Sequence, residues 1–126
     1  KHLFQINIIE MTGDIEINNL IKNELKFYSN RNSKNKYDIS INSEYQKIII
    51  SKNSAGVATE YKILVDTKIS INLNNKNNIL NFSENINIKS NSNSFEQNNY
   101  ERNIKKNFAS SIKNKFIIKI FNLDDN

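Results

Sequence analysis

The stretch TEYKILVDTKISINL, Thr59 to Leu73, decides the fold. Every second residue in it, Thr59, Tyr61, Ile63, Val65, Thr67, Ile69, Ile71 and Leu73, is apolar or β-branched. Glu60, Lys62, Leu64, Asp66, Lys68, Ser70 and Asn72 stand between them. A period of two held over this length predicts a β-strand over 57–73 with one packed face and one wet face. At about 3.3 Å per residue the alternating stretch runs roughly 50 Å, far beyond an ordinary strand. A sheet that long in a small chain suits a rigid presenting surface better than the frame of an enzyme pocket.

Working outward, Ser51 to Gly56 reads as the turn that enters this strand, with Asn53 and Gly56 tolerant of positive φ. Before it, a strand over 37–50 places Tyr37, Ile39, Ile41, Ser43 and Tyr45 on one face, and its phase blurs at Ile48, Ile49 and Ile50. After it, Asn74 to Asn78 reads as a turn, and a strand over 79–90 carries Leu80, Phe82, Ile86 and Ile88 in phase with the charged Glu84. A carboxylate in that phase predicts a sheet edge or bulge before it predicts a buried functional acid.

The two ends of the chain supply the remaining elements. Residues 3–11 form the first strand, with Phe4, Ile6 and Ile8 in one phase and Leu3 and Ile9 in the other. Asp14 is placed to cap a helix over 15–28, and Glu16 sits where the helix dipole favours an acid. The stripe Ile17, Leu20, Ile21, Leu25 and Tyr28 follows the 3.6 period, interrupted by Glu24. A second helix over 97–120 repeats Tyr100, Ile104, Phe108, Ile112 and Phe116 every four residues, widened by Ala109 and Ile120. Both helices are free of proline, which the chain lacks.

The order is β-α-β-β-β-α, and each helix has one side to bury. The fold class expected is α/β, of the α+β kind: a two-layer sandwich in which a four-stranded mixed sheet packs both helices on one face. The other face, with Glu60, Lys62, Asp66 and Lys68, stays wet or meets a partner. The three later strands form an antiparallel meander, because short turns join them. The neighbour of the first strand is left open.

Composition narrows the function classes. The 126 residues hold 37% hydrophobic residues, enough for one modest core, so 1–126 is a single domain. Asn, Ile and Lys dominate, a trio with A- and T-rich codons, and the short Asn-rich segments read as turns between periodic segments. Cysteine is absent and the one histidine is His2, which excludes a disulfide, a thiol nucleophile and a Cys/His metal site. No cofactor is expected. Glu60 and Asp66 share a strand face but lie roughly 20 Å apart, too far for paired acid and base work. The longest wholly apolar runs are three residues, so no helix spans a bilayer.

Local stretches resemble the lipopolysaccharide-assembly lipoprotein family LptE. Ile50 to Val65, ISKNSAGVATEYKILV, resembles the family's passage from hairpin turn into third strand. Phe82 to Ser94 resembles its fourth strand leaving into a serine-rich segment, and Tyr100 to Ile120 its final helix, with Ala109 as the small residue. Ile6 to Leu25 corresponds to the first strand and helix. The family's mature chain opens on a lipidated cysteine and a short linker, neither of which precedes Lys1; the resemblance implies such an anchor in the full-length protein. It further implies a non-enzymatic protein on the periplasmic side of the Gram-negative outer membrane. There it would plug the barrel translocon LptD, assist its assembly and contact lipopolysaccharide during lipid transport.

Two sets of residues are candidates. Lys52, Asn53, Ser54, Ala55 and Gly56 form either an ordinary hairpin turn or a tip that reaches a partner. The flanking Ile48, Ile50 and Val57 favour contact, because apolar residues beside a projecting turn need burial. Lys47, Lys52, Lys62 and Lys68 are candidate ligands for the phosphates of an anionic glycolipid, and a solvated charged face is the competing reading. Arg102, Lys105, Lys106 and Lys113 are expected to lie opposite the helix stripe and serve solubility. The net charge of +5 fits an acidic target without identifying one. Nucleic acid is the alternative binding class, carried by the lysines and by Tyr37, Tyr45 and Tyr61. Those tyrosines share the phase of the packed isoleucines, however, which removes them from stacking.

Overall fold

The computed structural model describes residues 4–73 and 75–124. The elements are β1 (Gln5–Gly13), α1 (Ile15–Glu24), the four-residue α2 (Lys26–Ser29), β2 (Lys36–Lys52), β3 (Ala58–Leu73), β4 (Lys76–Lys89) and α3 (Ser94–Asp124). They build the two-layer α+β fold with one mixed four-stranded sheet in the order β1-β2-β3-β4. β2, β3 and β4 are the antiparallel meander, and β1 pairs with β2 in parallel, which settles its neighbour.

The alternation of β3 is its burial. Ile63, Val65, Thr67, Ile69 and Ile71 are buried, whereas Lys62, Leu64, Asp66 and Lys68 lie on the other face. Cross-strand partners share a face. Ile39 and Ile41 of β2 oppose Ile71 and Ile69, while Leu80 and Phe82 of β4 oppose Ile69 and Thr67. Ile17 and Ile21 of α1 and Leu25 just after it, with Phe108, Ile112, Phe116 and Ile120 from α3, complete one core on that face. Both helices therefore cover the same side. In the middle of it the buried hydroxyls of Ser43 and Thr67 satisfy one another at 2.7 Å.

Local chemistry sets the boundaries. The Asp14 carboxylate accepts the amide hydrogen of Ile17 at 2.9 Å, the expected cap of α1. The helix expected over 15–28 is interrupted at Leu25, whose ψ of 3° turns the chain into α2. At the other end Asn93 Oδ1 accepts the amides of Phe95 and Glu96, so α3 starts three residues earlier than the apolar period indicates. The turn expected over 74–78 is shorter, because Leu73 already pairs with Lys76 and Asn77 and Asn78 belong to β4. Asn75, at φ 66°, supplies the left-handed residue that so tight a reversal needs.

β1 runs from Gln5, and the expected start at Leu3 lies outside the described residues. Its two apolar phases are reconciled by a bulge: the pairing shifts between Ile8 and Glu10, which turns Ile9 out and sets Met11 opposite Ile41. Gly13 ends the strand at φ 88°, and a Cβ there would lie 2.0 Å from the carbonyl oxygen of Ser43. Glycine is required twice over at this position, by dihedral and by space.

Candidate functional site

The hairpin joining β2 to β3 stands out from the rest of the sheet. β1 ends at Gly13 opposite Ser43, so among the described residues β2 has no strand partner on that side from Glu44 onward. β4 ends at Lys89 opposite Glu60, and the ladder of β2 and β3 continues to the pair Lys52–Ala58. The tip is therefore a two-stranded ribbon beyond both flanking strands. Ile50 and Val57 (60%) belong to this overhang, while Ile48 (43%) and Ile49, opposite Lys62 and Tyr61, lie just below it where β4 still flanks β3; all four are apolar and exposed.

Asn53 organises the turn. Its Oδ1 accepts the amides of Ala55 at 2.9 Å and Val57 at 3.0 Å, its own amide donates to the Val57 carbonyl, and its carbonyl accepts from Gly56. Gly56 sits at φ 82° with open space around its α-carbon, so glycine is needed there for the dihedral alone. Two register shifts, between Ile49 and Ser51 and between Ser51 and Lys52, twist the ribbon before the turn. Asn53, Ser54, Ala55, Gly56, Val57, Ile48 and Ile50 are thus brought into one exposed, locally ordered tip.

The four lysines are not brought together. Lys47 pairs with the buried Ile63 and lies on the helix side. Its Nζ donates to Glu101 Oε2 at 2.6 Å and sits 4.3 Å from the centre of the Tyr61 ring. Lys52 is exposed at the tip opposite Ala58. Lys62 and Lys68 occupy the open face six residues apart, about 20 Å along the strand, with Asp66 and Glu44 as an acidic cross-strand pair between them. Lys62 stands directly opposite Ile48, setting a cation beside an exposed apolar side chain on the open face.

Behind the hairpin, a polar seam fastens α3 to β2 and α1. The Tyr45 hydroxyl donates to Glu101 Oε1 at 2.7 Å, and Gln97 Nε2 donates to its other oxygen at 2.8 Å. Burial alone pushes the Glu101 carboxyl up, but hydrogen bonds from Gln97, Lys47 and Tyr45 outweigh it and hold it below the usual carboxylate range. Burial, reinforced by the adjacent Glu101 carboxylate, pushes the Tyr45 phenol up. Lys105 lies 2.8 Å from Glu16 and 4.2 Å from the Tyr45 ring, and Arg102 approaches Glu16 at 3.5 Å. The Lys105 hydrogen bond lowers the Glu16 pKa despite some desolvation.

One expectation is corrected here and one is met. Arg102, Lys105 and Lys113 do not lie opposite the apolar stripe, since they flank it and pair with Glu16 and Glu24 of α1. Tyr45 and Tyr61 pack partly buried against the core, as their phase indicates. Glu101 was not legible as a site residue: its partners are 54 and 56 positions away, and only the Gln97–Glu101 spacing of four marks a helix face. The described residues contain no group of acids, histidines or cysteines able to hold a metal ion, and no helix is long and apolar enough to cross a membrane.

This arrangement of layers and strands is shared with solved bacterial lipoproteins. Rare lipoprotein B from Shewanella oneidensis superposes with a TM-score of 0.68 at 12% identity, over 95% of this chain and 98% of that one. A minor lipoprotein from Acinetobacter baumannii gives 0.56 at 10% identity, covering 84% and 88% of the two chains. An uncharacterized lipoprotein B from Nitrosomonas europaea gives 0.52 at 12%, covering 90% and 81%. At these identities the likeness shows a common fold. No protein-family model matches the sequence, and no curated protein does.

Proposed function

We propose that this chain is an LptE-like lipoprotein of lipopolysaccharide assembly: a non-enzymatic plug and assembly partner of an LptD-like outer-membrane barrel, contacting lipopolysaccharide at its hairpin tip. In this reading the full-length protein is lipid-anchored on the periplasmic side of the outer membrane. The observation that carries it is the overhanging β2–β3 ribbon, whose exposed Ile50 and Val57, with Ile48 just below it, need a partner that the rest of the fold does not supply. The fold shared with proteins named as lipoproteins supports the same reading. So does the open sheet face, because its mixed Glu44, Lys62, Asp66 and Lys68 suit the polar interior of a barrel. A stiff sheet keeps its shape inside such a lumen, and Asn53 keeps the tip folded before contact.

Co-expression with an LptD-like barrel, followed by affinity capture, tests the proposal. A stoichiometric complex is expected. Capture of a folded barrel without this chain, under conditions where both are present, would reject the plug role.

A further inference from the structure

The positive charge of the chain is unevenly matched. On α3, Arg102, Lys105, Lys113 and Lys115 each face an acid in space, Glu16, Glu24 or Glu84. Residues 26–36 are different, for they hold Lys26, Arg31, Lys34 and Lys36 and no acid. Lys26, Lys34 and Lys36 are exposed, and no described acid pairs with any of the four.

The helix α2 fixes an aromatic ring among these cations. Leu25 is buried and Tyr28 turns inward, its ring stacked on Phe4 at 5.1 Å, so Phe27 is turned out and is 63% exposed. The Arg31 guanidinium lies 4.4 Å from the centre of the Phe27 ring, and Lys26, Phe27, Asn30 and Arg31 border a shallow hollow. The Asn35 carbonyl accepts the amide of Gln5 at 2.8 Å, which seats the segment beside the start of β1. β2 separates it from the tip at Lys52 by 17 residues, about 50 Å. The acids at this end are Asp38, which accepts from Asn7, and Asp124, which ends α3 beyond the contact of Phe121 with Phe4. The four cations outnumber them.

We infer that residues 26–36 form a docking face for an anionic phospholipid surface, with the Phe27 ring entering the headgroup region and Lys26, Arg31, Lys34 and Lys36 meeting lipid phosphates. Unpaired cations alone would suit any polyanion. The ring held among them favours a bilayer, because aromatic and basic side chains sit together at the headgroup level and apolar burial adds to the electrostatic attraction. A cluster of four cations beside a point of membrane attachment is what an anionic lipid surface attracts. The choice of a lipid surface rests on the anchored reading proposed above, in which the chain leaves the membrane and enters the fold at β1. The tip and this face lie at opposite ends of β2, so both can be engaged at once.

The test is sedimentation of this chain, without any anchor, with vesicles of phosphatidylcholine alone or with about one-third phosphatidylglycerol. Binding is expected only to the anionic vesicles, and raised salt should weaken it. Each cation removed from the face should cost about fivefold, so Lys34→Gln with Lys36→Gln should weaken binding about twentyfold or more. Lys89→Gln with Lys106→Gln removes the same charge from exposed lysines elsewhere and should change binding less than about twofold. The chain lacks tryptophan, so Phe27→Trp supplies a single reporter, whose emission should shift to the blue on anionic vesicles. Equal losses in the two double variants, indifference to phosphatidylglycerol, or a tryptophan that stays in water while the protein is bound would overturn the docking face. A single-stranded oligonucleotide held through Lys34 and Lys36 more tightly than the vesicles would overturn the choice of occupant. Fatty-acid labelling of the full-length protein in cells tests the anchor separately. Unlabelled protein whose chain still binds anionic vesicles through Lys34 and Lys36 would remove the anchor and keep the face, whereas labelled protein whose chain ignores those vesicles would remove the face alone.

Discussion

The Lys47 ammonium lies 2.6 Å from Oε2 of Glu101, across 54 residues of sequence. A lysine from the presenting hairpin strand is thereby committed to holding the last helix against the sheet. Lys47 and Lys52 are expected to behave differently in consequence. Lys47→Gln leaves a half-buried carboxylate with one donor fewer and should cost about 1 kcal/mol in urea unfolding. Lys52→Gln should fall within about 0.5 kcal/mol of the parent, as surface changes do. In a titration with labelled lipopolysaccharide only Lys52→Gln should weaken binding without a change in unfolding midpoint; equal effects of both variants on stability would reject this division.

The same seam fixes a pH dependence. Glu101 and Glu16 both titrate below the ordinary carboxylate value of about 4.3. A lowered folded pKa means the unfolded chain binds the proton more readily. The stabilisation is therefore complete above the unfolded value and is lost as pH falls through the folded one. The parent should hold its stability from neutral pH to about 5 and lose it progressively below 4. The double variant Glu16→Gln, Glu101→Gln should be less stable at pH 7 and decline less steeply below 4, in urea melts at a series of pH values. Parallel curves would show that other carboxylates set the acid limit.

The two glycines separate dihedral strain from steric exclusion. Gly56→Ala meets only the unfavourable positive φ and should cost about 1–2 kcal/mol. Gly13→Ala adds a collision with the Ser43 carbonyl, worth about a further 1–3 kcal/mol of displacement. A larger loss at Gly56 than at Gly13, measured by denaturant midpoint, would contradict the account of how β1 turns into α1.

Core packing gives a larger contrast. Phe108 is 2% exposed within the helix–sheet core, and Phe108→Ala should cost about 3–5 kcal/mol. Phe27 is largely exposed with the Arg31 guanidinium over its ring, and Phe27→Ala should stay near or below about 1 kcal/mol. Thermal unfolding of the two variants reads the difference directly.

How much of this was legible depends on whether the determining contacts are local. The alternation through Ile63, Val65, Ile69 and Ile71 foretells β3, its buried face and the side on which the helices pack. Asp14 foretells a cap because a cap joins residues three apart. The break at Leu25 and the bulge at Ile9 answer to neighbours in space, Tyr28 stacked on Phe4 and β2 beside β1, and no spacing records them. Lys47 was open to a better reading: extending the phase of Ile41, Ser43 and Tyr45 by one step places it on the helix side. Its partner Glu101 remained invisible, since a long-range ion pair leaves no periodic trace. The exposed Ile48, Ile50 and Val57 were legible as a tip through their position beside the turn, whereas the separation of Lys62 from Lys68 by an acidic pair required the register.

Site-specific photocrosslinking in cells bears most directly on the proposed role of that tip. A crosslinking residue placed at Ala55 or Val57 should yield a covalent adduct with the LptD-like barrel, while one at Phe27, far from the hairpin in sequence and equally exposed, should not. Adducts from Phe27 alone, or none from either tip position while the complex is intact, would contradict a hairpin that makes the contact.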